Sequence, residues 1–129
     1  MQSYQATLSG TAARIRTPAG ITDLYVVTPD DVEIVEAKRS AEHAFVRQAL
    51  GQLLDYAPHS PQPVTRLTGL FPTRPADADV RLLHRYGIDC VHKSESGAFV
   101  RLPASAPQRE AMMKIIHGDD GADEGLSVI

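Results

Sequence analysis

The sequence predicts an α/β domain over residues 1–118, a mixed central sheet flanked by helices, followed by an acidic tail at 119–129. Three observations predict it. Short runs rich in Val, Ile and Tyr alternate with segments whose apolar residues recur every three or four positions. The resulting order is strands, helix, strand, helix, strands, helix, which suits a mixed sheet with helices packed on it. A chain of 129 residues, 43% apolar and 22% charged, has the make-up of an ordinary soluble domain with one core.

The first strand is expected between Tyr4 and Thr17, where Ala13 and Ile15 alternate with Arg14 and Arg16. Pro18-Ala19-Gly20 punctuates the chain. The β-rich run 21–27 then meets a second run, 32–38, across the turn-forming Thr28-Pro29-Asp30-Asp31, the pattern of an antiparallel hairpin. Ser40 offers an N-cap for a helix over 41–57, in which Phe45, Ala49, Leu50, Leu53, Leu54 and Ala57 form the apolar face. Pro58, Pro61 and Pro63 end it. A strand at 64–71, a helix at 76–86 stopped by Gly87, strands at 88–92 and 97–103, and a helix from about Pro107 to Ile116 complete the order. The tail, with four acids and no base, is expected to be disordered.

Composition narrows function. No apolar run reaches the roughly 20 residues of a membrane helix. The opening MQSYQATLSG has neither a basic start nor an apolar stretch, and Cys90 has no second cysteine to pair with, so a cytoplasmic location is expected. The net charge of −3 is unlike that of a typical nucleic-acid-binding domain. Most of the excess lies in the tail, however; residues 1–118 are nearly neutral, and residues 1–22 carry two arginines and no acid. The histidines at 43, 59, 84, 92 and 117 show no ligand spacing, Cys90 and His92 alone make no zinc site, and no phosphate-binding glycine loop occurs.

The hairpin concentrates the chemistry. If Pro29 and Asp30 lie at its centre, Val27 faces Val32, Tyr25 faces Ile34, and Asp23 faces Glu36. Directly opposed side chains have Cβ atoms about 4.5–5.5 Å apart. Lys38, two residues beyond Glu36, leaves from the same face. Two carboxylates so close repel each other and lose solvation, and a divalent cation offsets this better than one lysine. Mg²⁺ accepts carboxylate and carbonyl oxygens, so Asp23, Glu36 and the main chain of Ala37 are the candidate metal ligands. On the following helix Gln48, Gln52 and Tyr56 fall at i, i+4 and i+8, a polar stripe along one face. Taken singly, Glu-Ala-Lys and an exposed glutamine stripe are ordinary surface features; their order along the chain is what points to a site.

From Gly20 to Tyr56 the chain resembles the RecB-like branch of the PD-(D/E)XK nuclease superfamily, through G-I-T-D ending at Asp23, V-E-A-K at 35–38, and Q-L-L-D-Y at 52–56. The resemblance implies a restriction-endonuclease-like core and metal-dependent hydrolysis of phosphodiester bonds with Mg²⁺ or Mn²⁺. Asp23, Glu36, Lys38, Gln52 and Tyr56 would be the catalytic set, DNA the expected substrate, and RNA the other possibility. Arg14, Arg16, Arg39 and Gln48 are the candidate nucleic-acid contacts, with Arg47, Arg66 and Arg74 further basic positions. The family's acidic residue on a helix before the first hairpin strand has no counterpart, because residues 1–22 lack Asp and Glu. That departure implies one metal ligand fewer and a sheet face that a second copy or partner subunit would cover. It also leaves open a nuclease fold kept for binding without turnover, or a toxin-like nuclease domain held by an inhibitor.

Overall fold

The computed structural model describes residues 23–118 in full, together with the backbone of three short strands near the N-terminus. Those are β1 (Thr11–Ala13), β2 (Arg16–Thr17) and β3 (Gly20–Ile21), followed by β4 (Leu24–Val27) and β5 (Val32–Ala37). Helix α1 (His43–Tyr56) runs into a 3₁₀ turn at Ala57–His59 and is followed by β6 (Arg66–Phe71). Then come α2 (Asp77–Arg85), β7 (Ile88–Lys93), β8 (Phe99–Leu102) and α3 (Ala106–His117). Arg14, the Arg16 side chain, the acidic tail and most of the strand expected over 4–17 lie outside the described residues.

Six of these strands form one mixed sheet in the order β1-β4-β5-β6-β7-β8. Strands β5, β6 and β7 are parallel to one another, and the outer pairings are antiparallel. Parallel neighbours need crossover connections, which α1 and α2 supply. The carboxyl ends of β5, β6 and β7 therefore share one edge of the sheet, where β4 begins. No helix among the described residues is long and apolar enough to cross a membrane.

The hairpin has the register expected from its turn, with Val27 opposite Val32, Tyr25 opposite Ile34 and Leu24 opposite Val35. The turn is closed by Thr28 N–H donating to the Asp31 carbonyl at 2.8 Å and Asp31 N–H donating to Thr28 Oγ1 at 2.9 Å. Thr65 ties it to the strand beyond, donating from its backbone to the Val32 carbonyl at 2.8 Å and from Oγ1 to Asp31 at 2.9 Å.

Two helix starts differ from expectation. Helix α1 begins at His43 with Glu42 as its N-cap, because Ser40 spends its hydroxyl locally, accepting from Glu42 N–H at 3.1 Å. Helix α3 begins at Ala106, one residue before Pro107, under a capping box. Gln108 N–H donates to Ser105 Oγ at 3.2 Å, and Ser105 N–H donates to Gln108 Oε1 at 3.1 Å.

The helices pack on one face of the sheet. Val46, Ala49, Leu53 and Tyr56 of α1 and Val80 and Leu83 of α2 meet Tyr25, Ile34, Leu67, Phe71 and Ile88, with Met113 and Ile116 of α3 against them. On the opposite face Leu24, Val26, Val35, Leu70 and Val91 form a second buried cluster. A charged network shares that second face. Asp89, fully buried, is paired with both Arg66 and Arg101, while Arg101 also reaches Glu33 at 3.0 Å. Thr68 donates to Glu33, and Ala104 N–H donates to Asp89 at 2.8 Å. Arg66, considered above as a phosphate contact, is thus a structural cation.

Gly87 closes α2 with φ +70, and a Cβ there would lie 2.8 Å from the Gln108 carbonyl oxygen and 2.9 Å from Met112 Cβ. Backbone strain and steric overlap act together at this point. Gly87→Ala is expected to cost about 3 kcal/mol in chemical denaturation; an unchanged midpoint would show that α3 does not seat on the α2–β7 turn.

Candidate active site at the carboxyl edge of the sheet

Asp23 lies one residue before β4, in a bend, where continuation of the hairpin register places it opposite Glu36. Its Oδ2 accepts from Ala37 N–H at 2.9 Å. The backbone group that the ladder leaves unpaired thus fixes the carboxylate at the mouth of the hairpin. In a strand the N–H and C=O of one residue leave on the same side, so the Ala37 carbonyl faces the Asp23 side of β5 as well.

Glu36 is only 3% exposed. Its Oε2 lies 3.7 Å from Lys38 Nζ, and its Oε1 is buried with no hydrogen-bond partner. Burial pushes the Glu36 carboxyl up to about 7; the neighbouring Asp23 charge adds to this and Lys38 offsets part of it. The lysine therefore does not fully compensate the pair. The strand partner of Glu36 on β6 is Gly69, which puts no side chain beside it; a Cβ there would lie 2.8 Å from the Phe71 ring.

Helix α1 returns over β5 and completes the cluster. Gln52 accepts from Lys38 Nζ through Oε1, which holds the ammonium at the sheet edge. Tyr56, one turn on, is buried, and its phenol is raised first by burial and then by the Glu36 charge. Asp23, Glu36, Ala37, Lys38, Gln52 and Tyr56 are thus brought together. Gln48 lies exposed one turn before Gln52, and Arg39 is exposed beside Lys38 with its guanidinium 5.2 Å from the Phe45 ring centre. Among the described residues no group of three His, Cys, Asp or Glu side chains converges, so the oxygen donors here are two carboxylates and a peptide carbonyl. Such a set suits a hard divalent ion that keeps much of its water.

A mixed sheet with helices against it and acids at its carboxyl edge defines a restriction-endonuclease-like α/β fold. The chain is similar to the crystal structure of a repair endonuclease from Pyrococcus abyssi, with a TM-score of 0.50 and 20% identity. The match covers 69% of this chain and 41% of that one, and at this identity the likeness is one of fold. No protein-family model and no curated protein matches the chain.

The raised Glu36 carboxyl has a stability consequence. Folding favours its protonated form, so its contribution is present below about pH 4.5 and is lost as pH rises through about 7. In metal-free buffer the stability of Glu36→Gln relative to the unaltered chain should rise by about 2 kcal/mol between pH 5 and pH 8. Urea denaturation at the two pH values measures this, and an equal difference at both would mean that Glu36 is not held in an unfavourable place.

Proposed function

We propose that the chain is a metal-dependent nuclease that hydrolyses phosphodiester bonds, with DNA as its substrate. The observation that carries this reading is the buried, unpartnered Oε1 of Glu36, set opposite Asp23 and beside Lys38. A buried carboxylate oxygen without a donor is costly, and a cation shared with Asp23 would remove that cost. Asp23, Glu36 and the Ala37 carbonyl would hold Mg²⁺ or Mn²⁺. Such an ion polarises a phosphoryl oxygen and lowers the pKa of bound water.

The remaining residues serve the reacting phosphate. Lys38 orients the attacking water or stabilises charge building on the phosphate. Gln52 is a positioning residue that acts by fixing the Lys38 ammonium. Tyr56 closes the site beneath the helix and keeps bulk water from Glu36. Arg39 and Gln48, both exposed at this end of the molecule, would contact the substrate strand, with Arg14 and Arg16 as further contacts. The restriction-endonuclease-like fold and the description of the structural neighbour as a repair endonuclease support hydrolysis of a nucleic-acid strand. A second reading, a nuclease fold that binds without turnover, is favoured by the convergence of only two carboxylates among the described residues.

Single- and double-stranded DNA and RNA, incubated with Mg²⁺ or Mn²⁺, separate the two. The unaltered chain should cleave DNA, EDTA should stop it, and Glu36→Ala should reduce cleavage to background. Lys38→Ala should slow cleavage by about a hundredfold or more. Full activity of Glu36→Ala would refute the metal assignment, and no cleavage of any substrate would overturn the nuclease reading in favour of the second. Because the ion must displace the Glu36 proton, cleavage at limiting Mg²⁺ should increase from pH 6 to pH 8; a flat profile would count against Glu36 as a ligand.

A further inference from the structure

Two strands along the same edge, the segments that follow β6 and end β7 border an open cleft of about 420 Å³ that the catalytic cluster does not use. Thr73, Arg74, His92, Lys93, Ser94 and Glu95 line it. Its volume is within the range of small-ligand sites, and its position outside the carboxyl ends of parallel strands is where open α/β sheets bind ligands. Neighbouring strands lie about 4.8 Å apart, so β7 is roughly 10 Å from β5 across the sheet. One nucleic-acid strand lying along this edge would meet Lys38 and the cleft in turn.

The lining is largely apolar, Pro72 included, with cationic and hydroxyl groups set into it that can take an oxyanion. Arg74 Nη1 donates to Asp77 Oδ1 at 2.6 Å in an exposed ion pair, which uses only part of the guanidinium's donor set. The Lys93 ammonium is steadied 5.7 Å from the centre of the Phe99 ring. The His92 ring is set by Nδ1–H donating to the Lys93 carbonyl at 3.1 Å. Thr73 and Ser94 add hydroxyls, and Glu95 is the acid of the lining, exposed on the turn after β7. Unlike Arg66 and Arg101, which are tied to buried carboxylates, Arg74 and Lys93 are exposed.

We infer that this cleft is a second phosphate-binding position, gripping the substrate strand at a phosphate away from the scissile one. The inference rests on the nuclease reading of the neighbouring cluster. The phosphate is either an internal backbone group or the terminal phosphate of a strand.

Binding measured without turnover tests it. The full chain in EDTA is titrated into fluorescently labelled single-stranded and duplex DNA over a series of salt concentrations, with ends that are hydroxylated, 5′-phosphorylated or 3′-phosphorylated. The double variant Arg74→Ala/Lys93→Ala should bind about tenfold more weakly, and the slope of log affinity against log salt should fall by about 1.5. Arg85→Ala, which removes a cation from the far end of α2, should change affinity less than twofold and serves as the charge control. Loss on every oligonucleotide identifies a backbone phosphate, and loss confined to phosphorylated ends identifies a terminal one. An unchanged affinity and slope in the double variant, or an equal loss in Arg85→Ala, overturns the inference while leaving the nuclease reading intact. Failure of the unaltered chain to bind any oligonucleotide removes both. Thermal melting of each variant confirms that the fold is retained.

Discussion

The arrangement around Asp23 and Glu36 depends on one constraint, two carboxylates held together where Glu36 is buried without full compensation. A four-residue turn sets the register that opposes them. The end of the β4–β5 ladder frees the Ala37 N–H to hold Asp23. Gly69 beside Glu36 brings no donor to it, and helix α1 packs over β5 on the same face. Each of these steps brings the acids closer or dries their surroundings, and the Glu36 carboxyl rises to about 7 in consequence. Lys38 relieves only part of this, because it lies 3.7 Å from one Glu36 oxygen and is shared with Gln52.

Much of this was legible in the residues, for reasons that are local. Thr28-Pro29-Asp30-Asp31 closes a turn through its own backbone and side chains, so the register of 24–27 against 32–35 follows from the turn. Strand alternation then puts Glu36 and Lys38 on one face, and helical spacing lines up Gln48, Gln52 and Tyr56. What escaped the residues is non-local or competitive. Ser40 was a reasonable cap, yet a bond two residues on took its hydroxyl. The pairing of Lys38 with Gln52 depends on how the connection at 38–42 seats α1 on the sheet, which no spacing encodes. The network of Glu33, Thr68, Asp89 and Arg101 joins four strands, and each member alone looks like an ordinary polar strand residue.

The parallel order of β5, β6 and β7 explains why chemistry gathers at a single edge. A right-handed crossover returns the chain to the same side each time, so each of these strands ends beside the last. Side chains just past those ends are freed from the ladder and can face a ligand. Lys38 and Arg74 are placed in this way, by the connections that follow β5 and β6, while Asp23 reaches the same edge from the segment before β4 and Lys93 is the last residue of β7.

The two faces of the sheet treat buried acids in opposite ways, and the contrast bears on purpose. On the second face Asp89 and Glu33 are more deeply or comparably buried, yet each receives a guanidinium, and Asp89 a backbone N–H besides. That is how a protein stabilises internal carboxylates when stability is all that is required. The same chain, with arginines available, leaves Glu36 with an unpartnered oxygen next to another acid. Steric necessity does not explain this, since an apolar residue at 36 would pack against the same neighbours at lower cost. Among the described residues, Glu36 is the buried acid that sits beside another acid with an oxygen left without a donor, and that contrast with Asp89 and Glu33 is what the proposed cation site rests on.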